Sequence, residues 1–260
     1  MILFPFAIKT FMKEWSIVRR SWHYLFWVSL TGVSLFNTFV YVAGHYTSAI
    51  NLALIGTTSS PIMSVIMARI FLKERIGSMK LLGMLICITG ILFLLSNGNF
   101  KNLLALKFSS GDVWMLAAAF CFAAYNILVR KKPASISSIN FLFVTFLFGT
   151  LLLLPFFIWE YYKSPVADWN SRLIGSILYL GIGASTICFF IWNISIGILG
   201  AGRTSLFGNL IPIFSSLEAV IILNEEFSWV HIVSMITVFA GLLLANLRSI
   251  KFRQELKPVN

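Results

Sequence analysis

Long apolar blocks are the feature of this sequence that most restricts its fold. The chain of 260 residues is 58% hydrophobic and only 11% charged, whereas a soluble domain is about half apolar and about a quarter charged. The apolar residues fall in blocks close to the ~20 residues that an α-helix needs to cross a bilayer. This pattern predicts an all-α integral membrane protein that crosses the bilayer several times.

Eight of these blocks are predicted to be full membrane spans. They cover residues 22–43, 48–72, 78–96, 111–130, 138–159, 173–195, 202–223 and 229–247. Residues 1–12 are also apolar, but at ~1.5 Å per residue such a helix reaches only ~18 Å, short of the ~30 Å hydrocarbon layer. We therefore expect only a partial span there.

The basic residues predict which loops face the cytoplasm. Sixteen of the 20 Lys and Arg residues lie in one alternating set of loops and end segments, which includes Lys73, Arg75 and the C-terminal tail. Because basic residues collect in cytoplasmic loops, we expect a multi-pass protein of the cell (inner or plasma) membrane with its C-terminus inside. This topology accounts for the net charge of +11, so no nucleic-acid partner is expected.

The sequence repeats at an offset of 151 residues. Identical residues recur with identical spacing, since Pro61, Glu74 and Gly90 coincide with Pro212, Glu225 and Gly241. The span 48–72 ends on the predicted cytoplasmic side, whereas its equivalent 202–223 ends on the other side. Two copies of opposite orientation form an inverted-topology repeat, a common transporter plan in which the substrate site lies near the midplane between the repeats.

The repeat divides the chain into two units. The first covers residues 1–98, a linker loop follows at 99–110, the second unit covers 111–249, and a basic cytoplasmic tail occupies 250–260. The second unit begins with a full span, 111–130, that has no counterpart in the first. We therefore expect the first unit to lack its first helix and part of its second, as in an N-terminally truncated sequence.

Three segments resemble a known family. TSAINLALIGTTSSPIMSVIMARIFLKERIGSMKLLGMLICITGILFL and GAGRTSLFGNLIPIFSSLEAVIILNEEFSWVHIVSMITVFAGLLL are similar to the closing helices of the two EamA domains in the drug/metabolite transporter superfamily. GDVWMLAAAFCFAAYNILVRK is similar to the start of the second domain. The resemblance implies a helical bundle of two inverted five-helix repeats. It also implies transport of small metabolites, often amino acids and often outward.

Polar and aromatic side chains inside the spans are candidates for substrate binding. A polar side chain in lipid costs free energy without a partner, so each is expected to face the bundle. The candidates are Asn37, Tyr41, Thr58, Tyr125, Asn126, Trp192, Asn193, Ser205, Asn209 and Ser216. Hydrogen bonds between helices explain many of these residues about as well as contact with a ligand does.

One helical face of the span 202–223 is polar. Ser205, Asn209, Pro212 and Ser216 have the spacing of a single face. Pro212 has no N–H to donate and is predicted to free the carbonyl of Gly208. A break of this kind beside a cavity offers backbone groups to a substrate, and a plain kink is the alternative.

Two acidic residues need separate interpretations. Glu218 lies inside a span, where a carboxylate is a candidate for binding an amine or relaying protons. It falls on the helical face opposite Asn209, so an ordinary acid near the outer end is the alternative. Glu74 is expected to stabilise the start of the helix near Ser78, because a carboxylate is favourable beside the first turn of a helix.

Together these patterns predict a secondary transporter, not driven by ATP, that moves small metabolites such as amino acids or related amines by alternating access, with export expected. A non-transporting membrane subunit or an inactive truncated paralogue is the alternative. The expected partners are a small-molecule substrate and the lipid bilayer, and a homodimer is left open. The sequence shows no nucleophile–base pair, carboxylate dyad or metal-ligand spacing, so no enzyme activity, metal or cofactor is expected.

Overall fold

The structure is built from helices. The computed structural model describes residues 3–47, 49–105, 109–163, 169–223 and 228–255, and these residues form helices and no strand. The α-helices are α1 Phe4–Lys13, α2 Trp15–Arg20, α3 Trp22–Ser29, α4 Phe36–Tyr46, α5 Ala49–Leu72, α6 Ser78–Leu95, α7 Lys101–Leu104, α8 Ser110–Arg130, α9 Ser138–Lys163, α10 Ser171–Leu178, α11 Cys188–Leu199, α12 Ala201–Thr204, α13 Ile211–Leu223 and α14 Trp229–Glu255.

Three segments of different winding join consecutive α-helices. A π-helix at Leu30–Leu35 joins α3 to α4, and a second π-helix at Tyr179–Ile187 joins α10 to α11. A 3₁₀-helix at Ser205–Leu210 joins α12 to α13. Each joined pair is one continuous helical rod, so α3–α4 and α10–α11 each act as a single membrane span.

Seven helices in the described part of the chain are long and apolar enough to cross a membrane. They are Trp22–Tyr46, Asn51–Leu72, Ser78–Leu95, Ser110–Arg130, Ser138–Lys163, Ser171–Leu199 and Trp229–Asn246. The predicted all-α membrane fold is therefore confirmed. The eighth predicted span, 202–223, is also helical from Ala201 to Leu223, but the 3₁₀ segment interrupts its α-helix.

Helices α6 and α14 are equivalents at the offset of 151 residues, and they pack against each other in antiparallel directions. A Cβ placed on Gly83 would lie 2.4 Å from the carbonyl oxygen of Gly241, and one placed on Gly90 would lie 3.2 Å from that of Ser234. As α6 advances from 83 to 90, its partner therefore recedes from 241 to 234. A shift of 151 residues converts position 83 into 234 and position 90 into 241, so it exchanges the two contacts. A pseudo-two-fold axis therefore crosses the helices, and the repeat is inverted.

The two π-helices obey the same register. A shift of 151 residues places Leu30–Leu35 at positions 181–186, inside the second π-helix, Tyr179–Ile187. A π-turn is a rare departure from α-helical winding and is frequent at functional sites. Its recurrence at one register position shows that the two units share backbone detail as well as hydropathy.

The end of the molecule that carries the predicted cytoplasmic loops is tied together by polar contacts. Glu14, between α1 and α2, accepts hydrogen bonds from the Asn140 amide at 2.7 Å and from the N–H of Ser137 at 3.1 Å. Arg130 donates to the carbonyl of Ile196 at 3.4 Å. Burial lowers the pKa of Lys132, and the nearby Glu14 carboxylate acts in the opposite direction.

Loops predicted on the opposite side also lie together. Thr47 donates to the Asp112 carboxylate at 2.5 Å, and the Tyr41 hydroxyl donates to Glu160 at 3.1 Å. Gly98 approaches the start of α14, where its Cβ would lie 3.0 Å from Val230. The alternation of sides predicted from the charges therefore agrees with the packing of the helix ends.

Candidate substrate-binding site

Five polar and aromatic side chains meet in the interior where α5, α8 and α11 come together. We name them the α8–α11 cluster, and its members are Ser64, Tyr125, Asn126, Trp192 and Asn193. The Tyr125 hydroxyl donates to the Asn193 side-chain oxygen at 2.6 Å. The Asn126 amide donates to the Ser64 hydroxyl at 3.1 Å, and its oxygen accepts the indole N–H of Trp192 at 2.9 Å. Four of the five were predicted as candidate site residues.

The sequence of α8 explains how two of these side chains reach the interior. The helix follows Ser109 at its N-cap, whose backbone N–H donates to the Asp112 carboxylate at 2.7 Å, while the Asp112 N–H donates to the carbonyl of Ser109 at 3.1 Å. The alanine-rich segment that follows allows neighbouring helices to approach closely. Tyr125 and Asn126 then lie in a fully enclosed part of the bundle, both with 0% exposure.

A glycine of the first π-helix makes room for the Tyr125 ring. A Cβ on Gly32 would lie 2.1 Å from the ring carbon Cδ2 of Tyr125, which no real side chain could tolerate. The missing side chain therefore lets α8 pack on the π-helix with an aromatic ring between them. This contact fixes the position from which the Tyr125 hydroxyl reaches Asn193.

One polar atom of the cluster has no hydrogen-bond partner among the described residues. The Asn193 amide nitrogen is buried and has no hydrogen-bond partner, although its oxygen accepts from Tyr125. Aromatic rings surround the amides, with Phe122 lying 5.7 Å from Trp192 and Phe189 lying 5.8 Å from Tyr125 between ring centroids. The cluster thus combines neutral hydrogen-bonding groups with an aromatic wall and places no charged side chain in its own network.

Asn209 is a second buried polar group, and it lies close to the pseudo-two-fold axis that relates the two units. It has 0% exposure, and neither its amide nitrogen nor its oxygen has a hydrogen-bond partner among the described residues. The Cys87 thiol of α6 lies beside it, and Cys87 itself donates to its own repeat equivalent, Val238, at 3.4 Å. A buried carboxamide left without a full partner costs about 1–3 kcal/mol, so Asn209, with the Cys87 thiol beside it, is a candidate for contact with a ligand.

The backbone near Pro212 differs from the prediction in one respect. The carbonyl of Gly208 was expected to be free, but it accepts the N–H of Ile211 as part of the 3₁₀-helix Ser205–Leu210. In an α-helix this carbonyl would accept from residue 212, but Pro212 has no N–H to donate. The tighter 3₁₀ winding brings the N–H of Ile211 to it instead. Backbone binding of a substrate at Gly208 has no support from this geometry.

The structure does not bring every candidate residue to these two places. Asn37 is exposed on α4 and donates to the carbonyl of Val33 at 2.7 Å, and Tyr41 is exposed and bound to Glu160. Thr58 donates to the carbonyl of Leu54 at 2.6 Å, one turn back along its own helix. Ser205 is buried and donates to the carbonyl of Gly202 at 3.3 Å, on the same helical rod as Asn209.

Two further candidates lie on α13. The side chain of Ser216 lies outside the described part of the structure, so its place on the polar face stays a prediction. Glu218 is exposed, and it makes no contact with the α8–α11 cluster. It therefore stays a candidate for amine or proton coupling only as an exposed carboxylate.

Sequence reasoning missed two buried polar residues. Ser64 was not among the candidate residues, yet its hydroxyl accepts a hydrogen bond from the Asn126 amide. Asp112 is buried and accepts Thr47, Asn51 and the N–H of Ser109. The signal for Asp112 was its position three residues after Ser109, which is the spacing of a capping box.

Two inverted units with a buried, neutral polar cluster between their helices define a polytopic transporter-type membrane protein. The chain belongs to the EamA-like transporter family, whose model matches residues 1–96 and 109–247. This is a family of membrane transporters, as the predicted resemblance implied.

Individual relatives agree with the family assignment. A Bacillus subtilis (strain 168) protein named the uncharacterized transporter YyaM is 25% identical over 219 residues, which cover 84% of this chain and 71% of that protein. An Escherichia coli (strain K12) protein named a probable amino-acid metabolite efflux pump is 23% identical over 234 residues, covering 84% of this chain and 74% of that protein.

A solved structure supports the fold. One crystal structure aligns with a TM-score of 0.69 and 18% identity, covering 86% of this chain and 77% of that chain. At this identity the match shows the fold alone.

Proposed function

We propose that this protein is a secondary transporter that moves a small organic metabolite, such as an amino acid or related amine, by alternating access between its two inverted units. The α8–α11 cluster is the observation that carries the proposal. Its unused Asn193 donor, neutral amides and aromatic wall suit a small molecule with polar and apolar parts. Asn209, buried and without partners near the axis, supplies a second contact.

We infer export as the direction, and the inner membrane with a cytoplasmic C-terminus as the location. The support for direction is the name of the Escherichia coli relative, a probable amino-acid metabolite efflux pump. The support for orientation is the concentration of Lys and Arg in one set of loops. Fusion of a fluorescent protein and of a periplasmic phosphatase to the C-terminus tests the orientation, with fluorescence and no phosphatase activity expected.

Transport by the purified chain tests the proposal directly. The protein is reconstituted in vesicles that contain a defined mixture of amino acids, amines and nucleosides, and mass spectrometry follows which compounds leave. The wild-type chain is expected to release a subset of these solutes faster than protein-free vesicles. Asn193→Ala is expected to weaken the apparent affinity by roughly 3- to 10-fold, the effect of losing one neutral hydrogen bond.

Ser195→Ala is the matched control. Ser195 lies on the same helix as Asn193, is only partly buried, and donates to the carbonyl of Ile191 at 2.9 Å. It is expected to transport as the wild-type chain does. If folded wild-type protein releases none of the solutes, the proposed function is contradicted. If Asn193→Ala and Ser195→Ala transport equally well, the proposed site is contradicted.

One observation favours a second candidate function, that of a membrane subunit. In the first unit the π-helix is covered by α8, since Gly32 meets Tyr125. In the second unit neither α10 nor the π-helix buries a residue, and a Cβ on Gly183, the equivalent of Gly32, would meet only the ring of Tyr179 on its own rod. A helix of another membrane protein fits this open face. Transport by the purified chain alone would show that no such partner is required.

A further inference from the structure

The repeated glutamate of the first unit lies against the second unit. Glu74 follows α5, and its N–H donates to the carbonyl of Ala68 at 3.1 Å. Its carboxylate occupies the space beside two glycines of the second unit. A Cβ placed on Gly200 would lie 2.8 Å from it, and one placed on Gly202 would lie 3.2 Å from it. Helix α6 has Gly77 at its N-cap and no side-chain cap, and the expected stabilisation of its first turn by Glu74 stays a prediction.

Lys80 completes the contact from the first turn of α6. Its ammonium lies 3.8 Å from the Glu74 carboxylate, with only 9% of its side chain exposed. The same ammonium would lie 2.7 Å from a Cβ on Gly202, and Arg203 is close enough to interact with it electrostatically. Lys80 is buried and Glu74 is partly buried, so removing Glu74 would leave a buried positive charge uncompensated.

The glycines that receive this pair begin the rod that carries Asn209. Helix α12 starts at Ala201 and continues through the 3₁₀-helix Ser205–Leu210 into α13. Gly200 has a φ of 91°, a conformation that glycine adopts readily and other residues rarely do. The chain is therefore shaped at this point to admit a carboxylate from the other unit.

We propose that Glu74 is a positioning residue of the transport cycle. Paired with Lys80 and seated on Gly200 and Gly202, it holds the start of the Asn209 rod against the first unit. This contact, the Glu74–Lys80 latch, closes the end of the molecule that bears Lys73 and must release before that end opens. The proposal rests on the proposed function, because only alternating access requires such a release.

Chemical labelling tests the latch without a substrate. Ser205 lies one turn beyond Gly202 and is buried, so a cysteine there reports opening of this end. Ser205→Cys is placed in a chain with Cys188→Ser, and a membrane-impermeant maleimide is applied to vesicles of either orientation. Glu74→Gln and Lys80→Gln are each expected to raise the labelling rate from the Lys73 side by about fivefold or more. The exchange Glu74→Lys with Lys80→Glu is expected to restore slow labelling.

Glu160→Gln is the matched control, because it removes an exposed carboxylate at the other end of the molecule and should leave the rate unchanged. Gly202→Ala retains every charge but places a methyl group against both latch residues, so it should also accelerate labelling. An unchanged rate in folded Glu74→Gln and Gly202→Ala, or equal acceleration from both sides, would overturn the latch. A solute screen that finds no transported compound would instead contradict the proposed function. The labelling rates do not depend on a substrate, so the two failures are distinguishable.

Discussion

At the scale of single residues, the sequence predicted some of the buried polar side chains but not the contacts that they make. Tyr125, Asn126, Trp192 and Asn193 were candidates because polar groups in a span need partners. Their pairing across α8 and α11 depends on the rotation of each helix, which hydropathy does not specify. For the same reason Tyr41 was a reasonable candidate, yet it lies exposed and binds Glu160.

Asp112 gives a prediction at this scale. Asp112→Ala is expected to lower the free energy of unfolding by about 2–3 kcal/mol, because Thr47, Asn51 and the N–H of Ser109 lose a buried acceptor. Denaturant titration of the detergent-solubilised protein measures the change. Glu160→Ala is the control, since Glu160 is exposed and accepts a single hydrogen bond. Equal stability of the two variants would contradict a structural role for the Asp112 network.

At the scale of helices, span positions followed closely from apolar length, while winding did not. The predicted span 78–96 and the observed α6 differ by one residue at the end, because the hydrocarbon layer fixes how many apolar residues are needed. The π-helices were not predicted, since a π-turn changes the backbone hydrogen bonds without changing the apolar pattern. Their shared register became evident only from the structure.

The two π-helices provide a matched pair of glycine variants. Gly32→Ala is expected to destabilise the protein by about 1–3 kcal/mol, because its methyl group collides with the Tyr125 ring in a packed interior. Gly183→Ala meets only a ring of its own rod and should leave stability unchanged or raise it by up to ~1 kcal/mol through better helix propensity. Thermal unfolding of both variants in detergent measures the difference. Similar losses in the two would show that the faces are equally covered.

At the scale of the whole molecule, the doubled sequence predicted the inversion before any contact was known. Pro61, Glu74 and Gly90 set the offset, and the charges assigned the two copies to opposite orientations. The structure confirms the inversion in the antiparallel contact of α6 with α14. Sequence alone did not predict that this contact lies on the pseudo-two-fold axis, because the offset relates residues within the chain and says nothing of which equivalents touch.

A cysteine pair tests whether two repeat equivalents, residues 87 and 238, meet where α6 packs on α14. Cys87 donates to the carbonyl of Val238, its own equivalent, at 3.4 Å, so oxidation of Val238→Cys should join α6 to α14. With a protease site inserted between α6 and α8, the two fragments should stay together until reduced. Ile236→Cys is the control, because Ile236 is 65% exposed and faces away from α6. Fragments of Val238→Cys that separate as readily as those of the control would contradict the contact between these two equivalents.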